Sequence, residues 1–307
     1  AIELVTCLNG LGLTWATTAP LDQAEDASAQ AEKFYQEALT NVEAMLPKLD
    51  EKNPEESLML RQLKARLLAN RGSLLSGTNR LDDSLNCLSD AEAEFRAIAE
   101  VDDSLRNVHE HAKSLVELSR LLSLHGRGED AKSALEEAIP VYSRLVVANP
   151  DDTGFLSGRA DARLSLANAL SGDDLLSARL GVYEECVEDY LMLIQSRPDV
   201  PVYRSNLVSA EANIAQVLYQ QGETKTAGEH AYAALEQVLV LVDADASSMR
   251  AHSLEVYVRT TYGQILRDSG AFTDAETAFI SALEKCLLLT EAVPDDANIL
   301  RLQSETQ

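Results

Sequence analysis

An all-α solenoid of about six tandem helical hairpins is the fold the sequence predicts, and three observations predict it. The composition is helical: Leu, Ala and Glu crowd the 307 residues, while Gly numbers 14, Pro 8 and the aromatics only 5%. Helix-breaking punctuation recurs at a fixed interval. Asn53-Pro54-Glu55, Asn149-Pro150-Asp151, Arg197-Pro198-Asp199 and Val293-Pro294-Asp295 place prolines 96, 48 and 96 residues apart. The two missing steps of that 48-residue ladder fall in Val101-Asp102-Asp103-Ser104 and Asp245-Ala246-Ser247-Ser248, which are turn and N-cap compositions without proline. Columns of small residues also keep the same interval, as expected of a repeat whose helices must approach closely.

The first hairpin, residues 1–53, is irregular. Its stretch Ile2–Ala19 is apolar but has no Lys or Arg ahead of it, so it reads as a helix of the fold and not as a secretory signal. Gly12, Trp15, Ala24 and Ala31 fit the columns, yet Gly12 stands 60 residues before Gly72 where 48 would be regular. The twelve extra residues are expected to lengthen the second helix toward Met45 and Pro47.

Regular hairpins follow at 54–101, 102–149, 150–197, 198–245 and 246–293, with 294–307 as a cap or tail. The first helix of each carries a small residue at Gly72, Ser119, Ala167, Ala215 or Gly263, and three residues later a large one at Leu75, Leu122, Leu170, Leu218 or Leu266. A break follows at Asn79, Gly126, Gly172, Gly222 or Gly270. The second helix then shows small residues at Ser84, Ala131, Ala227 and Ala275, and again at Ala91, Ala138, Cys186, Ala234 and Ala282. Each helix of about twenty residues is about 30 Å long. In the hairpin at 150–197, Arg179 occupies the small position with Ala178 beside it, which predicts a turn shortened by one residue. Pro140, inside a second helix, removes a backbone hydrogen bond and is expected to kink it.

Charge excludes several function classes. With 50 acidic and 26 basic residues the net charge is −24, which repels phosphate backbones and anionic lipid, so neither nucleic acid nor a membrane is an expected partner. No uncharged apolar run reaches the length of about eighteen residues that a membrane span needs. Cytoplasmic residence is the default expectation. Cys7, Cys87, Cys186 and Cys286 are widely spaced, as buried free thiols would be, and not as a zinc or disulfide framework. His109 and His111, two apart on a helix, point in different directions and share no metal, and His125, His230 and His252 stand alone. The G-x-G pieces at Gly10 and Gly126 lack a third glycine, and neither a G-x-S-x-G elbow nor a phosphate loop occurs. Neither an enzyme nor a cofactor or metal site is expected.

The small and large columns resemble those of the tetratricopeptide repeat. Gly263, Leu266, Gly270, Ala275, Phe279 and Ala282 follow that pattern, as do Ala215, Leu218, Gly222, Ala227 and Ala234. The usual unit of about 34 residues is here stretched to 48. The long form is similar to arrays attached to bacterial serine/threonine kinases, notably in the segment from Arg197 to Arg204, although no kinase motif is present. The resemblance implies a right-handed superhelix whose first helices line a concave face and whose second helices form the convex one. The first-helix windows hold 13 basic and 10 acidic residues, whereas the second-helix windows hold 6 and 23. Two readings fit this separation: first-helix bases pair locally with second-helix acids, or a mildly positive groove on a negative body attracts acidic peptide segments.

The positions that face the groove by this resemblance are Arg66, Lys113, Arg120, Arg163, Asn168, Gln216, Tyr219, Gln264 and Arg267. The expected function is a non-catalytic scaffold for a protein or an extended peptide with acidic groups, within a larger signalling protein. A structural spacer that self-associates and a regulatory segment of a bacterial serine/threonine kinase are the alternatives.

Overall fold

The computed structural model describes residues 2–18, 24–49, 53–78 and 80–292. Among them are twelve α-helices, one short 3-10 turn and no strand. Asn79, the punctuation at Val293-Pro294-Asp295 and the tail at 294–307 lie outside the described residues. The chain forms two compact units, residues 1–150 and 151–307.

The N-terminal unit contains α1 (Ile2–Thr18), α2 (Ala24–Leu49), α3 (Pro54–Gly77), α4 (Leu81–Val101), α5 (Leu105–Leu124) and α6 (Gly128–Ala148). Each helix packs on the next in chain order, and α1 also touches α3. The C-terminal unit contains α7 (Thr153–Ala169), α8 (Leu176–Ser196), α9 (Pro201–Gln220), α10 (Thr224–Ala244), α11 (Met249–Asp268) and α12 (Phe272–Ala292). It packs in the same sequential way, with α9 also touching α11. The lengthened second helix of the first hairpin is present: α2 runs for 26 residues, with Pro47 inside its last turn. Pro140 is tolerated within α6, which continues to Ala148.

Local chemistry sets the helix ends. Pro54 and Pro201 open α3 and α9, where a missing N–H leaves nothing unsatisfied. The side chains of Asn53, Asp152 and Ser248 accept from backbone N–H groups in the first turns of α3, α7 and α11. Gly126, Gly222 and Gly270 have φ of 70°, 84° and 85°, the left-handed conformation that closes a helix. In these turns the residue after the glycine donates its N–H to the carbonyl of Leu122, Leu218 or Leu266 at 2.9 Å. The large column of the sequence is thus also the hydrogen-bond anchor of the turn.

Burial follows the columns. Ser119, Ala167, Ala215, Ser84, Ala131, Ala227, Ala91, Ala138, Cys186, Ala234 and Ala282 are all at most 1% exposed. At Gly72 an added Cβ would lie 2.8 Å from Leu88, and at Gly263 it would lie 2.9 Å from the Phe279 ring. The Ser84 hydroxyl donates to the Gly72 carbonyl at 2.6 Å, drawing the same two helices together.

The hairpin at 150–197 corrects the expected short turn. Helix α7 stops at Ala169, Gly172 adopts φ 109°, and a 3-10 turn at Asp173–Leu175 precedes α8. The turn is therefore longer, while the twelve-residue step from Ala167 to Arg179 matches the other hairpins. A guanidinium cannot occupy the buried slot filled elsewhere by Ser84 or Ala131. Arg179 is only half-buried, with its guanidinium 5.7 Å from the centre of the Tyr183 ring. A second correction concerns the thiols: Cys87, Cys186 and Cys286 are buried, but Cys7 of α1 is exposed.

Leu218, 4% exposed, fills its column between α9 and α10. Replacing it with Ala is expected to cost about 2–4 kcal/mol, the usual scale for a truncated core leucine, read from urea melts. A loss below about 0.5 kcal/mol, the level of ordinary surface substitutions, would remove it from the core.

Candidate protein-binding surface

Side chains of successive first helices meet in polar rungs within each unit. In the N-terminal unit, Asn70 donates to Asn9 (2.9 Å), Gln62 donates to Asn107 (2.9 Å), and Arg66 lies 3.4 Å from Glu110. In the C-terminal unit, Asn213 donates to Asn168 (3.2 Å), which also accepts from the Tyr183 hydroxyl at 2.6 Å. Tyr257 donates to Asn213 at 3.1 Å and lies 3.4 Å from the Gln216 oxygen. Tyr219 donates to Asp268, whose other oxygen accepts from Arg267 at 2.8 Å.

The N-terminal unit opens a groove across these rungs. One cavity of about 350 Å³ has Leu88 and Phe95 of α4 at its base and Asn70, Arg66, Lys113 and Glu117 around it. A second, of about 360 Å³, shares Leu13, Asn70 and Ser73 with the first and extends toward Tyr35 and Leu74. Lys113 is exposed and makes no ion pair among the described residues. Arg120, two turns further along α5, is 54% exposed and lies 3.8 Å from Glu117. Arg66 and Lys113 therefore border the same cavity, whereas Arg120 lines neither of the two and lies further along α5.

The C-terminal positions are arranged differently. Arg163 reaches into its own hairpin: its guanidinium lies 2.6 Å from Asp189 and 2.7 Å from Glu185, and Arg159 holds the other Asp189 oxygen at 2.7 Å. Asp189 is 1% exposed, so this is a core ion triad tying α7 to α8. Asn168, Gln216, Tyr219 and Arg267 belong to the rungs above, and Gln264 is exposed on α11.

Local pairing of first-helix bases with second-helix acids occurs elsewhere as well. Arg71 meets Glu32 at 3.2 Å, Lys64 meets Glu94, and a reversed pair joins Lys285 of α12 to the buried Glu255 of α11 at 3.7 Å. Sequence reasoning missed Asn9, Asn70 and Phe95. Asn70 had a signal, since Asn70 and Asn213 both stand two residues before the first small column.

No group of three or more metal-capable side chains occurs among the described residues. None of their helices is long and apolar enough to cross a membrane.

No protein-family model matches the sequence, and no curated protein matches it significantly. Solved structures do. The nuclear import adaptor Nro1 of S. pombe aligns over 100% of this chain and 99% of its own, with 10% identity and a TM-score of 0.56. A Rap protein complexed with competence and sporulation factor aligns over 98% and 79%, with 13% identity and a TM-score of 0.51. The quorum sensor NprR from B. thuringiensis aligns over 99% and 78%, with 12% identity and a TM-score of 0.50. At such identities the likeness is one of fold, and the fold it supports is an all-α, tetratricopeptide-like solenoid of helical hairpins.

Two measurements probe the ion pairs. Asp189→Ala leaves two guanidiniums without their carboxylate and is expected to destabilise the C-terminal unit by about 3–5 kcal/mol in denaturant unfolding. His230 donates from Nδ1 to the Glu211 carboxylate at 2.6 Å, and this hydrogen bond raises the His230 pKa above its ordinary value of 6.5 despite burial, which acts the other way. A raised folded-state pKa stabilises fully below pH 6.5 and loses its contribution as pH rises through the folded value. An NMR titration should give a His230 midpoint above 6.5, lowered in Glu211→Gln.

Proposed function

We propose that the chain is a non-catalytic scaffold that takes an extended peptide segment bearing acidic groups along the first-helix groove of its N-terminal unit. The observation that carries this reading is the joined pair of cavities, with an apolar floor at Leu13, Leu88 and Phe95 and the cations Arg66 and Lys113 at its edge. Apolar slots give a peptide side chain area to bury, and an exposed cation rewards a carboxylate at the same register. The matched folds belong to proteins described as a nuclear import adaptor, a quorum sensor and a Rap protein complexed with competence and sporulation factor. Those descriptions support a binding role over a catalytic one.

The test is fluorescence anisotropy of a labelled extended peptide that alternates leucine with glutamate, titrated with the full chain. Lys113→Glu combined with Arg120→Glu should weaken capture by about tenfold or more while far-UV circular dichroism stays helical. Arg163 is unsuited to the test, because reversing it breaks the Asp189 triad. Equal affinity of variant and parent overturns the groove assignment.

A self-associating spacer is the second reading, favoured by one observation: Leu4, Leu11 and Trp15 are 51%, 45% and 41% exposed along one side of α1. Light scattering separates the two, since a monomer at every concentration removes the spacer.

A further inference from the structure

A cleft in the C-terminal unit, on other surfaces than the first-helix groove, has the features of a docking site. It lies between the first half of α10 and the second half of α11 as an open depression of about 650 Å³, lined by Gly228, Tyr232, Tyr262, Ile265 and Leu266 together with charged and hydroxyl side chains. Its origin is a missing side chain. The fifth residue of the second helix is Leu85, Lys132, Leu180 or Glu276 in the other regular hairpins, and here it is Gly228. Nothing in the packing demands that glycine: an added Cβ would meet only Ile265, at 3.7 Å. A glycine inside a helix is less favourable than alanine, so α10 keeps it at the expense of its own stability.

Two further features mark the cleft. Leu75, Leu122, Leu170 and Leu218 of the large column are at most 6% exposed, whereas Leu266 is only half-buried at the cleft. Tyr232, where the other regular hairpins carry Ser89, Glu136, Glu184 and Ile280, stands 49% exposed beside Tyr262, with ring centres 6.1 Å apart. Aromatic rings beside an open apolar floor are the composition of an interface anchor site.

Charge selects the occupant. Around the cleft the acids Glu229, Asp268 and Asp274 stand against the cations Lys225 and Arg267, so its surroundings carry a net negative charge. Asp274 bears on Tyr262 from the start of α12. The second-helix windows hold 23 acids against 6 bases in a chain of net charge −24. A second copy of the chain or an acidic segment is repelled from such a surface.

We propose that the cleft between α10 and α11 docks a basic amphipathic helix of a partner protein, which seats two apolar side chains one turn apart against Gly228, Ile265 and Leu266 while its Lys or Arg residues meet the acidic rim. The space suits two side chains of leucine size, and the opposed walls of two helices suit a third.

The experiment uses the full chain and a labelled helical peptide of about fourteen residues built from Leu, Ala and Lys with one apolar face, and a counterpart with every Lys replaced by Glu. Gly228→Leu installs the residue that Leu85 and Leu180 place there in other hairpins, so folding is preserved while the cleft fills. Saturable binding of the basic peptide is expected at physiological salt, weakened about tenfold or more by Gly228→Leu and by Tyr232→Ala. Lys113→Glu, in the other unit, should leave it unchanged, which keeps this site distinguishable from the first-helix groove. Failure of the basic peptide to bind, equal binding of its acidic counterpart, or indifference to Gly228→Leu overturns the proposal; the last result marks general attraction of lysine to an acidic surface.

Discussion

Two helices of a hairpin can lie close only where the crossing point carries almost no side chain. Gly72 beneath Leu88 and Gly263 beneath Phe279 are such points, and the Ser84 hydroxyl bound to the Gly72 carbonyl shows how near the backbones come. The remaining architecture follows from that contact. A large residue of the second helix closes over the small one of the first, so each hairpin has a thin, apolar interior and leaves its flanks for the adjoining hairpins. Sequential packing within each unit is the result, and the groove and the cleft are places where that filling is incomplete.

Charge plays two roles that the totals alone do not separate. Some first-helix bases are structural: Arg159 and Arg163 neutralise a buried Asp189, and Arg71 and Lys64 reach to acids on second helices. Breaking one partner of such a buried set is costly, because the other charge stays behind in a poor dielectric. Other first-helix bases stay exposed, Lys113 and Arg120 of α5 among them. The acids of the second helices, mostly solvent-facing, keep the chain negative and bias the partners that its outer surfaces can accept.

Much of the fold was legible because the physics behind it is local and repeated. Proline at the first helical position, glycine at the left-handed closing position and small residues at crossings each demand particular residue types, and at a 48-residue interval the demands line up. The turn after α7 was misread because a single arginine in a small column has two remedies, a slipped register or an altered turn, and only coordinates tell which was used. The site was less legible. Arg163 shares its residue type with Lys113 and Arg120, yet what it does depends on Asp189, 26 residues away. The cleft was missed for a related reason: Gly228 reads as an ordinary weak helix residue until Leu266 and Tyr262 are seen around the gap it leaves.

The close crossing is tested most directly by a double-mutant cycle at Gly263 and Phe279. Gly263→Ala alone should destabilise by about 1–3 kcal/mol, because the new Cβ meets the ring. In a Phe279→Leu background the same change should cost at least about 0.5 kcal/mol less, since the smaller side chain can withdraw. A gain of stability from Gly263→Ala, as helix propensity alone would give, or strict additivity of the two substitutions, would contradict the account.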